Sequence, residues 1–444
     1  KASPVRVLAV DAGTTVQFAF STNVYYEIVQ GADLFCTPID EKQLYTAFQP
    51  ILEDSKCEVL AFDTKRLRHL LDKFGISLKA RVFDAMIADY LLDATRPATS
   101  FAMLCERFCA NQKPNAALLF SLKETMLSDL SEANMTKLYT DMELPLAGVL
   151  YEMEREGFRV DRDILSQLQA QFNEQSESLA KQIYESTGET FNILSPKQLG
   201  EVLFEKLGLP TGKKNKSGFS TDADTLESLS DRHPAIPMIL EYRFITKLKS
   251  TFVDGLLNLV SAENDRIRTQ FNQCVTATGR ISSTEPNMQN IPVRTQQGRE
   301  IRKAFIASEG NVLVDADYSQ IELRLLAHIS GDEGMIAAFN SGKDIHRTTA
   351  SEVFRVPFAE VTSEQRSAAK AVNFGIVYGI SDFGLARNLD IPVKRASEYI
   401  KLYFDRYPGV KSYLEKSVED AKRTGYAVTM FERRRSMLEL KSSN

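Results

Sequence analysis

Val312-Leu313-Val314-Asp315-Ala316-Asp317-Tyr318-Ser319-Gln320-Ile321-Glu322-Leu323-Arg324 is the stretch on which the reading of this chain turns. An apolar run stops on two acids. An amphipathic run follows, with Ile321, Leu325, Leu326 and Ile329 at helical spacing. The pattern predicts a short buried strand ending at Asp317 and then a helix. A carboxylate held at a strand end suits a divalent cation, and Asp is a favoured oxygen ligand of Mg²⁺, which is often shared with substrate phosphates. The plainer reading is a strand-to-helix turn with Asp317 as the helix cap. This stretch alone leaves both open.

A chain of 444 residues exceeds one ordinary core and predicts about three domains. Its 43% hydrophobic and 25% charged content are those of a soluble globular protein. No apolar run reaches the length of a membrane span, and Lys1 to Asp11 lacks a signal-peptide pattern. Cys36, Cys57, Cys105, Cys109 and Cys274 are scattered and odd in number, which suits a reducing cytoplasm. The net charge of -5 gives no global hint of nucleic acid. Locally, however, Arg266, Arg268, Arg280, Arg294, Arg299, Arg302 and Lys303 face only Glu285 and Glu300 within residues 266–303. Such a segment can bind phosphate even in an acidic protein.

Residues 1–140 read as α/β, with strands at 5–10 and 58–62 and helices at 65–73 and 85–92. One long helical stretch is expected over 142–185. Ser195-Pro196-Lys197-Gln198 is a helix start with capping-box spacing. Lys213, Lys214 and Lys216 lie in a polar loop that could follow a phosphate backbone or simply be solvated. Residues 223–229 and 236–260 read as helices. Residues 333–430 read as mostly helical, broken at Pro357, Gly384, Pro392 and Pro408.

Two further segments carry chemistry. Arg366, Lys370, Phe374 and Tyr378 recur every fourth residue. They form a drifting stripe along one side of a helix. Two cations followed by two aromatics suit a nucleoside triphosphate, with charge for the phosphates and rings for sugar and base. An ordinary amphipathic helix has the same spacing. The second segment, Thr276 to Pro292, is rich in hydrogen-bonding side chains punctuated by Gly, Pro and one Arg. Its Asn, Gln and Arg could reach minor-groove acceptors that all base pairs share, or could serve a structural loop.

Taken together, Asp317-Tyr-Ser-Gln-Ile-Glu-Leu-Arg324, the helix Arg366 to Gly379 and the loop Thr276 to Pro292 resemble the motifs of bacterial family A DNA polymerases. The resemblance is dense from about Met142 to Arg435. It implies a right-hand polymerase of palm, fingers and thumb, α/β plus α, behind an N-terminal ribonuclease H-like exonuclease-type domain. The implied boundaries are 1–140 for that domain, 141–275 for a helical thumb, 276–332 for part of the palm, 333–435 for the fingers and 436–444 for the start of a return to the palm. The implied activity is template-directed DNA synthesis in repair and replication, by attack of a primer 3′-OH on a deoxynucleoside triphosphate. Two Mg²⁺ ions, with Mn²⁺ as an alternative, would sit at Asp317 and the carbonyl of Tyr318. Arg366, Lys370 and His346 would meet the triphosphate, Phe374 the sugar, and Tyr378 the templating position. Phe374, where some relatives have Tyr, implies poor use of dideoxynucleotides. Glu322 would fill the space of a ribose 2′-OH. Arg280, Asn287, Gln289 and Asn290 would hold the primer-template, with Lys213, Lys214 and Lys216 further along the duplex. The implied protein is a bacterial, cytoplasmic, nucleoid-associated monomer with no membrane partner.

The sequence departs from that family in two places. The first strand gives Asp11-Ala12-Gly13, without the D-x-E of the exonuclease, and no Y-x-x-x-D lies between Asn111 and Met142. Asp84 is the one later acid that matches. A vestigial exonuclease is therefore expected. The second palm acid, in a His-Asp-Glu turn, is also not found, so the chain reads as part of a longer protein. A fragment that grips primer-template without catalysis is the competing expectation.

Overall fold

The computed structural model describes residues 7–12, 16–28, 40–109, 112–210, 214–215, 218–293 and 295–441. The chain forms two compact units, Lys1–Leu313 and Val314–Asn444.

The first unit begins with a five-stranded sheet built from β1 (Val7–Ala12), β2 (Val16–Ser21), β3 (Val24–Ile28), β4 (Glu58–Ala61) and β5 (Arg81–Asp84), in the order β3-β2-β1-β4-β5. β1 runs antiparallel to β2 and parallel to β4, and β4 runs parallel to β5, with Leu60 opposite Phe83. Period-two alternation buries both faces of the parallel part. Leu8, Val10, Val59 and Ala61 enter one core, and Ala9, Leu60 and Phe83 the other. Helices α1 (Glu41–Leu52) and α2 (Thr64–Asp72) supply Leu44, Leu52, Leu67 and Leu71 to the first core. Helices α3 (Ala85–Leu92), α4 (Phe101–Phe108) and α5 (Leu118–Glu132) cover the other. The expected strands and helices of this region are present, within two residues at their ends.

The remainder of the unit is helical, with short ribbons. It comprises α6 (Leu144–Glu156), β6 (Phe158–Arg159), α7 (Arg162–Thr187), α8 (Pro196–Gly200), β7 (Lys214–Asn215), β8 (Gly218–Phe219), α9 (Ala223–Glu227), α10 (Ala235–Leu248), α11 (Gly255–Leu259), β9 (Arg266–Ile267), β10 (Gln270–Asn272), β11 (Ser282–Thr284) and α12 (Gln296–Lys303). The expected helix over 142–185 is in fact two. Gly157 breaks it at φ 65, and a Cβ there would meet the Ile267 carbonyl oxygen at 2.6 Å. Glycine is needed for both the left-handed backbone and the close approach of β9, which pairs with β6. Ser195 caps α8 as expected, but the Gln198 side chain accepts from Asn192 N, not from the cap residue, so the capping box is not closed. Lys213 and Lys216 lie outside the described residues. Lys214 belongs to the β7–β8 ribbon, so this stretch is not wholly loop.

The second unit contains α13 (Ile321–Ser330), α14 (Glu333–Asn340), α15 (Ile345–Val353), α16 (Ser363–Val377), α17 (Asp382–Leu389), α18 (Val393–Arg406), α19 (Pro408–Thr424) and a ribbon of β12 (Tyr426–Val428) and β13 (Arg434–Ser436). Leu323, Leu326, Met335, Val372, Ile376, Leu385, Tyr403 and Tyr407 form its core. Asp332 caps α14 and also accepts from Gly409 N at 2.9 Å, which ties α14 to the start of α19.

Three expectations fail here. The buried strand at 312–317 is not formed: these residues are outside any ladder, and Val312 and Val314 are 81% and 85% exposed. An extended segment becomes a strand only when neighbours take its N–H and C=O groups, and no described strand does so here. Helix α13 buries Leu323, Leu326 and Ala327, whereas Ile321, Leu325 and Ile329 remain 36–43% exposed. Gly384 lies inside α17. The break falls at Gly379, which adopts φ 70.

Candidate functional site

The acidic segment enters α13 through a tight turn. Gln320 adopts φ 54 as the first residue of the turn into the helix and makes no side-chain cap. Asp317 is therefore not the cap that the plainer reading required. Arg324 fastens the turn from the next helical turn onward: its Nε donates to the Ser319 carbonyl at 3.0 Å, and its guanidinium lies 4.7 Å from the Phe339 ring centroid. Asp315, Asp317 and Tyr318 are all exposed.

Helix α16 opens with a closed capping box between Thr362 and Gln365. This reciprocal pair fixes where the helix starts and so the phase of everything after it. Ala369, Val372, Asn373, Gly375 and Ile376 face the core, leaving Arg366, Lys370, Phe374 and Tyr378 on the outer side. The expected stripe is present. Tyr378 is the C-cap of the helix, not part of it, because the chain turns at Gly379. The Lys370 ammonium lies 5.9 Å from the Phe374 centroid.

Neighbouring elements hold both ends of the stripe. The Tyr378 hydroxyl donates to the Glu322 carboxylate, with contacts of 2.7 and 2.9 Å, joining the end of α16 to the start of α13. Two residues separately expected at a nucleotide site are thus brought together. Arg366 donates from Nε to Asp344 at 2.8 Å and pairs with it again at 2.7 Å. Asp344 also caps α15 through His346 N and Arg347 N. Burial works against its charge, but these donors together hold the carboxyl below its ordinary range. This clamp was not read from the sequence. Asp344 and Arg366 stand twenty-two residues apart and belong to separate helices, so no local pattern joins them.

His346 is 3% exposed, with its ring 5.7 Å from the Phe374 ring. Its Nδ1 is 2.9 Å from the Asn373 side-chain amide, and Asn373 is wholly buried. Burial pushes the imidazole down from its ordinary value. Asp344 opposes that shift, and Arg366 and Lys370 add to it.

In the first unit, β10 and β11 form the ribbon at the base of the polar loop. Ser283 is buried and organises it, accepting from Met288 N at 3.0 Å and lying 2.7 Å from the Thr269 hydroxyl. Asn287 spends its side-chain oxygen capping the turn at Gln289 N. Arg280, Gln289 and Asn290 are exposed. Arg294 lies outside the described residues. Asn287 is exposed as well, so all four expected contact side chains lie at the surface, and Asn287 in addition shapes the backbone through its side-chain oxygen.

A cleft of about 900 Å³ also lies in this unit, at the ends of the parallel strands. Asp63, Asp84, Lys65, His69 and Glu154 are among its lining residues. Asp84 is fully buried. It accepts from Thr64 N and Oγ1, both at 2.7 Å, and caps α3 at Ile87 N. Burial, reinforced by Asp63, raises its carboxyl to about 7. Its oxygens are thus engaged within the fold. Glu154 accepts from Lys65, from His69 Nε2 at 2.6 Å and from Phe271 N at 2.6 Å.

Among the described residues no group of three or more His, Cys, Asp or Glu side chains is placed to hold a metal ion. The exposed carboxylates of Asp315 and Asp317 are hard oxygen donors. This fits Mg²⁺, an ion commonly bound by one or two carboxylates, with phosphate and water completing its shell. No helix among the described residues is long and apolar enough to cross a membrane.

Comparisons with known proteins bear on both units. Residues 17–114 match the family described as DNA polymerase I, ribonuclease H-like domain. The chain is 46% identical over 405 residues to DNA polymerase I of Caldicellulosiruptor bescii, covering 89% of this chain and 48% of that protein. It is 44% identical over 420 residues to DNA polymerase I of Geobacillus stearothermophilus, covering 88% and 48%. It thus spans about half the length of the curated relatives it matches. Among solved structures it resembles the POL domain of Pol1 from M. smegmatis, in complex with DNA primer-template and dNTP. The TM-score is 0.87 at 38% identity, over 98% of this chain and 79% of that one. The fold is that of a family A polymerase domain with a ribonuclease H-like region before it. With residues 162–444 matching the family described as DNA polymerase family A, the chain belongs to that family.

Proposed function

We propose that this chain carries the nucleotide- and primer-template-binding part of a DNA-directed DNA polymerase. The observation that carries the reading is the outward stripe Arg366, Lys370, Phe374 and Tyr378, with Glu322 bonded to its far end. Arg366 and Lys370 neutralise triphosphate oxygens, the guanidinium as a planar fork and the ammonium as a point charge. Phe374 packs against the sugar, and Glu322, held by Tyr378, occupies the space a 2′-hydroxyl needs. Arg366 reaches the phosphates only by releasing or sharing Asp344, so nucleotide binding and the α15–α16 clamp compete. Arg280, Gln289 and Asn290 contact the duplex, and Asn287 shapes the loop that presents them. Asp317 and the Tyr318 carbonyl would hold Mg²⁺, whose chemistry is to acidify the attacking 3′-hydroxyl and stabilise charge on the leaving oxygens.

The proposed domains are an exonuclease-like region over 1–140, a thumb over 141–275, part of the palm over 276–332, fingers over 333–435 and a return to the palm from 436. The exonuclease-like region is read as vestigial. Asp84 is consumed by capping and by Thr64, and the carboxylate pattern of that chemistry is not in the sequence. The proposed setting is a bacterial cytoplasm, as a monomer acting in repair and replication.

Single-nucleotide addition to a labelled primer-template with Mg²⁺ tests this, with duplex affinity measured alongside. Addition that Asp317→Ala abolishes while duplex affinity holds supports the reading. Addition that survives Asp317→Ala removes the metal role. Duplex binding without any addition assigns this chain grip alone. Equal incorporation of ribonucleotides removes Glu322 as a sugar gate, and 3′-end degradation of single-stranded DNA overturns the vestigial assignment.

A further inference from the structure

We infer that Asn373 is a positioning residue for His346, and that it sets the ring as the neutral tautomer with its proton on Nε2. This rests on the nucleotide site proposed above for its purpose, but not for its chemistry.

The inference comes from the direction of a buried hydrogen-bond chain. The Thr349 hydroxyl lies 3.5 Å from the Tyr407 hydroxyl and donates to the Asn373 side-chain carbonyl at 3.3 Å. With its oxygen taken as acceptor, Asn373 turns its NH₂ to His346 Nδ1 at 2.9 Å. Asn373 is 0% exposed, Thr349 1% and Tyr407 1%, so water cannot readily reverse the chain. A neutral imidazole has one donor and one acceptor nitrogen. A donated hydrogen bond at Nδ1 makes Nδ1 the acceptor and leaves Nε2–H as the donor.

The charges around the ring agree with a neutral state. Arg366 and Lys370 on α16 disfavour a third cation, Asp344 on α15 favours it, and burial disfavours it. Asp344 is itself occupied by Arg366. In the Arg366–Lys370 neighbourhood the fold thus places a neutral N–H donor. Such a group can meet a phosphate oxygen without adding to the repulsion between the two cations that the unliganded protein must bear. Leu in place of Asn373, a good helix former of similar size, would keep helix α16 but lose this direction.

The test is long-range ¹H–¹⁵N spectroscopy of the 444-residue chain with ¹⁵N-labelled histidine rings. The sequence holds four histidines, and His346→Gln identifies the wanted signals by their loss. The expected result is a protonated Nε2 and an unprotonated Nδ1 that persist below the ordinary histidine range. Thr349→Val removes the donor that fixes the Asn373 carbonyl while keeping the side chain's shape. It should allow Asn373 to turn, giving mixed tautomers and about fivefold weaker deoxynucleoside triphosphate binding, the size expected for one lost hydrogen bond. Asn373→Asp should move the proton to Nδ1 or charge the ring. A wild-type ring protonated at Nδ1 overturns the inference, and so does a tautomer unchanged in Thr349→Val. If the tautomer is as expected but adding primer-template and deoxynucleoside triphosphate leaves the His346 signals unmoved, the nucleotide site fails and the Asn373 assignment stands.

Discussion

Two buried carboxylates in the first unit should make stability respond to pH with opposite signs. Glu154 joins α6 to Lys65 and His69 on α2 and to the backbone of Phe271. Burial would raise its pKa, but the His69 and Lys65 hydrogen bonds hold it below 4.5. A depressed folded value means its contribution is present above the ordinary carboxylate range and is lost as pH falls through the lowered value. Asp84 runs the other way. Its folded value of about 7 exceeds the ordinary 3.8, so its contribution is complete below about 3.8 and is lost as pH rises through about 7. Urea unfolding at stepped pH checks both. Glu154→Ala should lose about 3 kcal/mol at neutral pH by leaving Lys65 without its buried partner, and the deficit should shrink in acid. Asp84→Asn should flatten the decline in stability between pH 3.8 and 7. An unchanged slope in that variant would remove Asp84 as its source. Neither role was legible beforehand. In sequence Asp84 matches a motif acid, and only its full burial and its bonds to Thr64 make it structural.

At the scale of elements, two interruptions decide geometry. Gly157 turns the end of α6 into β6 with a positive φ and no room for a Cβ. Gly157→Ala should lower stability by about 2–4 kcal/mol, combining backbone strain with overpacking. Gly188→Ala, at φ 69 but with open space around it, should cost about 1 kcal/mol. Thermal melts that rank the two equally would show that the approach to Ile267 is unimportant. In the second unit, α16 presents its stripe because the capping box sets its phase. Arg366→Ala should weaken deoxynucleoside triphosphate binding about 10- to 100-fold, the range for a lost charge-assisted contact. Asp344→Asn should weaken it less or even strengthen it, since Arg366 is then released. Equilibrium titration of the nucleotide distinguishes these outcomes. The four-residue repeat of the stripe was readable because helical periodicity is local. The Asp344 clamp and the Glu322–Tyr378 bond were not, because they join separate helices.

On the scale of the whole molecule, charge distribution matters more than net charge. The chain is acidic overall, yet Arg280, Arg299, Arg302 and Lys303 fall in a stretch with few acids. If this stretch meets duplex phosphates, affinity for primer-template should fall steeply and linearly on a log–log plot against salt. A slope near zero would exclude it as the phosphate-binding surface. Neutralising Arg280 should reduce that slope by about one unit.

Local sequence already carried the family, the α/β start, the helical remainder and the four-residue repeat from Arg366 to Tyr378. These follow from local periodicity, from caps and from motifs that are contiguous in the chain. It predicted a strand at 312–317 that does not form and, apart from Leu326, apolar positions of α13 that are not its buried face, because ladder partners and packing partners are not local properties. Tertiary structure alone decided that Asp84 is a cap and not a free acid, that Glu154 is a clasp, and that His346 sits buried on Asn373. Each depends on side chains distant in sequence meeting where water is excluded, and there desolvation and hydrogen-bond direction determine what a residue does.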